Sequence, residues 1–337
     1  MVSRPTANLI GRKIITQSAL QVYELLKNVI LNLEKDKVYT RLILTIFEKE
    51  RQKEEVAPFT LTALPLHTCL VAGGNADDAI PVAAAWFSLH LAAQFLDDVE
   101  DGSDVVLDGR LIPPPVAVNL GTGFIAIANI ALLECNIDAT LCAFLGAEFN
   151  RTILQMAIGQ HADITRRSQM NMEAYRQVMA AKSGNFFLLG SWAGARLATE
   201  NEALLSQFES FGYNLGMMLQ LNDDLKDFRQ GGEKGDIASG QYTFPVVYAL
   251  SVASPLERKR LQGLLSRASE DEGAEKEART LVRMLGGEVY LLAEMLRYRR
   301  RAMAALDAIG LEGEDREMLE RYVEQLSFNT KGIPKTD

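Results

Sequence analysis

Two acidic clusters combine residue types and a spacing that could do chemistry. The first, Asp97-Asp98-Val99-Glu100-Asp101, closes an uncharged run from Ala83 to Leu96, and the second, Asp223-Asp224-Leu225-Lys226-Asp227, closes another from Phe211 to Asn222. In each, the first and last aspartates are i and i+4, hence on one helix face and about 6 Å apart along the axis. Carboxylates this close repel one another, and the rim of an apolar helix worsens the repulsion unless a cation compensates. A hard divalent ion does so: Mg²⁺ prefers oxygen ligands, keeps several waters, and is held by one or two carboxylates together with phosphate oxygens. Two such helices facing each other would cradle a cluster of Mg²⁺ ions around a diphosphate. One acidic cluster is the ordinary solvated end of a helix. Two in the same phase, each behind an uncharged helix, make coincidence the weaker account.

Cations and amides fall where such a diphosphate would use them. Between the clusters lie Gly159-Gln160-His161-Ala162-Asp163, then Tyr175, then Lys182-Ser183-Gly184-Asn185-Phe186-Phe187; after the second cluster comes the stretch from Gly232 through Lys234 and Gln241 to Pro245. Lys182 interrupts an otherwise apolar helix, where a lone ammonium needs an anion. The alternative is a stem lying on the apolar surface with its head in water.

The elements that must position these residues are helices. Between Ser18 and Asp36, Val22, Leu25, Leu26, Val29, Ile30 and Leu33 fall at i, i+3, i+4, i+7 spacing, which gives one apolar face. The same reading covers roughly 37–50, 60–73, 77–101, 114–134, 137–164, 171–198, 201–229, 243–252, 255–268, 273–285, 287–307 and 312–326. Runs of period two are missing, so no sheet is expected. Breaks come at Gly73-Gly74, Asp101-Gly102, Pro113 to Pro115, Gly231-Gly232 and Gly286-Gly287. The expectation is one all-α domain spanning residues 1–337.

Composition narrows the function classes. With 44 acidic against 35 basic residues in 337, a net charge of −9 and 48% apolar residues, the chain is built to pack, not to stay disordered. The acidic excess, with no basic run interleaved with aromatics, argues against a nucleic-acid partner. Cys69, Cys135 and Cys142 are odd in number, lack metal spacing and sit in apolar surroundings, which suits a reduced, cytoplasmic setting. No export signal is evident at the N-terminus. Ala79–Leu96 and Leu111–Leu133 approach the length that crosses a bilayer, yet the prolines, Asn119, Asn129, His90 and Gln94 within them favour helices buried in a bundle. His67, His90 and His161 are isolated, so no zinc set or Ser-His-Asp arrangement is proposed. The Arg297, Arg299, Arg300, Arg301 group reads as a solvated helix face.

The ordered motifs, namely the paired Asp-Asp-x-x-Asp clusters, Gly159-Gln160-x-x-Asp163, Lys182-Ser183-Gly184 and Gln220-Leu221-Asn222-Asp223-Asp224, make the chain resemble the trans-polyprenyl diphosphate synthase family over roughly residues 60–250. The resemblance implies an all-α isoprenoid synthase fold, a single large helical bundle around a central apolar cavity. It implies that Asp97, Asp98, Asp101, Asp223, Asp224 and Asp227 bind Mg²⁺, three ions per site once substrate is present, together with an allylic diphosphate. Lys182 and Lys234 would grip that diphosphate with Gln220 beside them, and Gln160 would line the substrate. A homodimer is the family expectation.

The departures concern one place. Members that elongate chains carry Gly-Gly-Lys-Arg-x-Arg-Pro some forty residues before the first cluster; here Phe59-Thr60-Leu61-Thr62-Ala63-Leu64-Pro65 stands there, and only the proline survives. The Arg-Arg-Gly after the first cluster is replaced by Val106-Leu107-Asp108-Gly109-Arg110, and a later lysine by Gln241. Those cations would hold the second diphosphate, that of isopentenyl diphosphate. An anion of about −3 charge is poorly held by Leu, Thr and Ala, since each charge-assisted hydrogen bond contributes roughly 1.5–3 kcal/mol. The allylic site therefore reads as intact and the homoallylic site as abolished.

The chemistry this permits is departure of the diphosphate, with Mg²⁺ bridging Asp97, Asp101 and Asp223 and with Lys182, Lys234 and Arg110 stabilising the developing charge. Phe186, Phe187, Phe211 and Tyr213 are candidates to shield the resulting allylic cation, with core packing as the alternative. Ala92 and Ala93, one turn before Asp97, leave room for a tail of farnesyl to geranylgeranyl length or beyond. Three outcomes stay open: transfer of the prenyl group to a non-diphosphate acceptor, cyclisation as in a synthase-derived class I terpene synthase, and a non-catalytic regulatory subunit. Asp227 and Gly231 stand where ordinary cyclases carry Ser and Glu. An apolar product would bring peripheral contact with a membrane.

Overall fold

The computed structural model describes residues 5–32, 37–56, 62–166, 170–232, 235–239 and 241–326. Helix follows helix: α1 (Pro5–Asn32), α2 (Lys37–Val56), α3 (Ala63–Val71), α4 (Ile80–Glu100), α5 (Pro114–Leu133), α6 (Ala139–Arg166), α7 (Met172–Met179), α8 (Asn185–Arg196), α9 (Glu202–Gln230), α10 (Phe244–Val252), α11 (Pro255–Leu265), α12 (Glu272–Met284), α13 (Gly287–Ile309) and α14 (Gly313–Leu326). The apolar periodicity anticipated most of these spans, but α1 begins at Pro5, well ahead of the start read at Ser18, and α2 runs to Val56, past the expected end at residue 50. Starts are marked by local chemistry: Ser254 and Glu257 form a reciprocal capping box ahead of α11, and the Asn171 and Asp271 side chains accept backbone N–H groups at the heads of α7 and α12.

By contact density the chain divides into two compact units, Met1–Leu154 with Leu188–Gly212 and Leu306–Arg321, and Gln155–Phe187 with Tyr213–Ala305 and Tyr322–Asp337. In the first unit α4 is the central helix. Every residue from Pro81 to Leu89 is buried, as befits a helix apolar on all sides. Trp86 and Leu91 are fully buried and Phe87 is 1% exposed, each burial contributing about 1.5–3 kcal/mol. A Cβ on Gly190 would lie 2.5 Å from the Trp86 ring, and one on Gly194 would lie 2.2 Å from the Pro65 carbonyl oxygen, so both glycines admit close packing that alanine would block. Phe124 joins Phe47 and Phe95 with ring centroids 5.8 and 5.7 Å apart.

Both apolar stretches form helices long and apolar enough to cross a membrane: Ala76–Glu100, 72% buried over its most apolar window, and Pro114–Leu133, 44% buried. The first is core. The second packs on α4 and leaves Val116, Val118 and Leu133 exposed.

In the second unit, Phe228, Ile237, Val246, Leu261, Leu264, Ala278 and Val282 close a core between the end of α9 and α10 to α12. An aromatic column of Tyr175, Phe244, Tyr290 and Tyr248 runs beside it.

Two features correct the reading from sequence. The expectation of no sheet fails at Val106–Leu107 and Arg110–Leu111, which pair antiparallel. Asp108 and Gly109 both have positive φ, 53° and 71°, the two-residue turn that Asp-Gly favours; strands of two residues are too short to show a period. The helix expected over 171–198 is interrupted by a π turn at Ala180–Gly184. The interruption sits where Ser183 and Gly184 meet α9: a Cβ on Gly216 would come within 2.2 Å of the Ser183 carbonyl oxygen, and one on Gly184 within 2.9 Å of the Tyr213 ring. Such insertions are frequent at functional positions.

Candidate active site

The first acidic motif occupies the last turn of α4. Asp97, Asp98 and Asp101 are each half-buried, and Asp101 is the C-cap, its N–H donating to the Asp97 carbonyl at 2.8 Å. Burial, followed by the charges of Asp97 and Asp101, raises the Asp98 pKa. Three carboxylates at a helix C-terminus also oppose the helix dipole, whose negative end favours cations there. Carboxylates gathered against both desolvation and the dipole are a donor set suited to a hard divalent ion.

The second motif, near the end of α9, is not three equivalent carboxylates. Asp223 is half-exposed and accepts from Lys226 Nζ at 3.0 Å, while Asp227 is exposed. Partial desolvation, then Asp223, raises the Asp227 pKa. Asp224 is 3% exposed and fully engaged. Its Oδ2 accepts from the Tyr175 hydroxyl at 2.7 Å and the Phe244 N–H at 3.1 Å, and its Oδ1 accepts from Gln220 Nε2 at 3.2 Å. Burial raises its pKa to about 6, against the opposing pull of these three donors.

Lys182, in the π turn, donates to Asp163 Oδ2 at 3.3 Å, with the two side chains 20% and 25% exposed. Its ammonium therefore already has an anion, the aspartate of the Gly-Gln-x-x-Asp motif, which sequence reasoning quoted but gave no role. Close approach of α6 makes the pair: a Cβ on Gly159 would lie 2.6 Å from Ala181 Cβ. Ser183 Oγ donates to Gln220 Oε1 at 2.8 Å, so Gln220 links the π turn to Asp224. Gln160 is 8% exposed, and among the described residues neither its amide nitrogen nor its amide oxygen has a hydrogen-bond partner. A buried amide left open on both sides is costly unless something else completes it.

Of the aromatic candidates, Phe186 and Phe187 are 4% and 6% exposed and meet edge to face at 5.5 Å, and Tyr213 is half-buried against Gly184. Phe211 is fully buried and reads as core packing. Ala92, 1% exposed, faces α5, where its carbonyl oxygen would lie 3.3 Å from a Cβ on Gly121; Ala93 is half-buried. Arg110 is exposed on the second hairpin strand, and Asp108 in the turn pairs with Lys49 at 2.6 Å. Lys234 and Phe59 to Leu61 lie outside the described residues. Thr62, Ala63, Leu64 and Pro65 are buried. Arg297 pairs with Glu294 at 3.0 Å and lies 5.3 Å from the Tyr298 ring centroid, in keeping with a helix face of ion pairs.

Among the described residues, no three His, Cys, Asp or Glu side chains converge into a ligand set of their own. Mg²⁺ does not require one, since waters and substrate phosphates complete its octahedron.

A family model described as polyprenyl synthetase matches residues 60–282. The chain is 27% identical over 273 residues to a short chain isoprenyl diphosphate synthase of Methanothermobacter thermautotrophicus, covering 76% of this chain and 82% of that protein. It is 29% identical over 263 residues to a nonaprenyl diphosphate synthase of Mycobacterium tuberculosis, covering 70% and 76%. Among solved structures, a polyprenyl synthase from Caulobacter crescentus, complexed with calcium and isoprenyl diphosphate, superposes with a TM-score of 0.75 at 22% identity, over 93% of this chain and 95% of that one. That likeness shows the all-α isoprenoid synthase fold.

Proposed function

Because this chain belongs to the polyprenyl synthetase family, and is thereby a prenyltransferase of a Mg²⁺-dependent class that binds prenyl diphosphates, we propose that it ionises an allylic prenyl diphosphate and passes the prenyl group to an acceptor other than isopentenyl diphosphate. The observation that carries the second half is the burial of Thr62, Ala63, Leu64 and Pro65, which end the segment where elongating members hold cations. An apolar, buried helix start offers nothing to a second diphosphate. The hairpin after the first acidic motif agrees: it presents Arg110 alone, and its turn carries Asp108, an acid tied to Lys49.

Asp97 and Asp101 offer carboxylate oxygens to Mg²⁺ in one unit, and Asp223 does so in the other; the ion, when bound, would supply positive charge to a departing diphosphate. The remaining work falls to the chain. Lys182 exchanges its contact with Asp163 for a phosphate oxygen. The open amide of Gln160 completes its hydrogen bonds on bound substrate, while Phe186 and Phe187 keep water from the allylic cation. Ala93 borders the tail, of farnesyl to geranylgeranyl length or longer. Leu154 and Ile158, 61% and 60% exposed on successive turns of α6, form an uncovered apolar stripe that a second copy of the chain would bury.

The test is to incubate the pure protein with Mg²⁺ and geranyl, farnesyl or geranylgeranyl diphosphate, each with and without isopentenyl diphosphate, and to identify products by mass. Diphosphate release without elongation supports the proposal, and a chain lengthened by five carbons overturns it. A cyclic hydrocarbon from one substrate would select the synthase-derived cyclase. No release under any condition would select the non-catalytic subunit.

A further inference from the structure

The buried aspartate of the second acidic motif is bonded to a residue far outside the motif. Tyr175 is 6% exposed on α7, and its hydroxyl donates to Asp224 Oδ2 at 2.7 Å. The same oxygen takes the N–H of Phe244, the first residue of α10, at 3.1 Å, and Gln220 occupies the other. Tyr175 is itself fixed. Its ring meets Phe244 edge-on at 5.9 Å, Phe244 stacks on Tyr290 at 5.8 Å, and Tyr290 stacks on Tyr248 at 4.1 Å. Its neighbour Arg176 donates to the Tyr290 hydroxyl at 2.9 Å and lies 3.7 Å from Glu294. Elements α7, α9, α10 and α13 thus close around one buried carboxylate.

Successive helix residues are about 100° apart around the axis, so fixing Asp224 fixes the direction of Asp223. We infer that Tyr175 is a positioning residue: by holding Asp224 inward it sets the rotation of the last turns of α9, so that Asp223 and Asp227 face the ligand and Asp224 serves as an anchor. The inference rests on the proposed function, in which Asp223 holds a divalent ion beside a diphosphate. Removing the hydroxyl would leave a buried anion one donor short. Its escape is to swing toward water, which turns Asp223 with it.

The test reads binding, not turnover. Mn²⁺ is added with inorganic pyrophosphate to the full chain, and bound Mn²⁺ is read from loss of the free-ion paramagnetic resonance signal, alongside the melting temperature of each variant. Asp223→Asn should weaken binding by about thirty-fold or more, and Tyr175→Phe by about ten-fold, in line with a bond to a charged group. Asp224→Asn should stay within about three-fold, because an amide oxygen still accepts from Tyr175 and Phe244 and the Gln220 amide can turn over to match. The decisive variant is Tyr175→Phe with Asp224→Asn, which should recover most of the loss, since a neutral amide short of one donor has no reason to leave. Asp224→Asn as damaging as Asp223→Asn would overturn the inference, as would Tyr175→Phe that lowers the melting temperature yet binds as the wild type does. A wild-type chain that takes up no Mn²⁺ with pyrophosphate overturns the functional reading and the inference with it.

Discussion

Lys182 and Asp163, 19 residues apart in sequence, form an ion pair at 3.3 Å inside the fold. The cation that the sequence offers to a diphosphate is therefore pre-aimed by a carboxylate, and a substrate must compete for it. Such pairing holds a long, flexible side chain near one geometry before the ligand arrives.

Lys182→Met should raise the KM for a prenyl diphosphate about 10- to 100-fold, the worth of one or two charge-assisted hydrogen bonds. Asp163→Asn removes the competitor and should strengthen metal-free pyrophosphate binding by about three-fold. Isothermal titration of both variants checks the opposite signs.

Asp97→Asn and Asp223→Asn should each lower diphosphate release by about 10²–10³-fold, comparable to losing one charge-stabilising group in a transition state. Melting temperatures should hold, because both side chains are half-exposed. Chelation of Mg²⁺ should stop release in the wild type, and its readdition should restore it.

Ala92 and Ala93 should respond differently to enlargement. Ala92 is buried where α4 meets Gly121 of α5, so Ala92→Phe should destabilise by about 1–3 kcal/mol through overpacking. Ala93 is half-buried; Ala93→Phe should preserve the melting temperature and shorten the accepted tail. Rates with prenyl diphosphates of increasing length, beside thermal denaturation, separate the two effects.

Gly216→Ala should damage the fold where the π turn rests. The new methyl would meet the Ser183 carbonyl oxygen at 2.2 Å, and backbone cannot step aside as a side chain tip can, so a loss of about 1–3 kcal/mol is expected. Urea denaturation measures it.

Acid should destabilise the protein through His67. Burial, then the charge of Arg321, lowers its pKa to about 3, while the unfolded chain titrates near about 6.5. Between those values the unfolded state binds a proton that the folded state refuses. The stability associated with His67 is therefore complete above about pH 6.5 and is lost as pH falls toward the folded pKa, by about 1.4 kcal/mol per pH unit at most. His67→Gln should flatten that limb of a stability curve measured by denaturant melts.

Much of this molecule was legible as a string. Most helix positions followed from side chains recurring every three or four residues, a property of each segment alone. The acidic motifs, the lysine in an apolar helix and the family resemblance were equally local. The hairpin at Asp108-Gly109 had a turn signal, but its strands were too short for a period to betray them.

What the sequence could not determine is which of two adjacent aspartates faces inward. Asp223 and Asp224 are identical in type and share neighbours, yet one is half-exposed and the other is sealed beneath a tyrosine 49 residues away. The choice was made by packing: α7 and α10 place a hydroxyl and an N–H where only one carboxylate can reach them. For the same reason the partner of Lys182 emerged only in three dimensions, where Gly159 lets α6 close on the π turn. The string determined that helices form and which charges they carry; the burial of one helix against another decided which charges remain free to work.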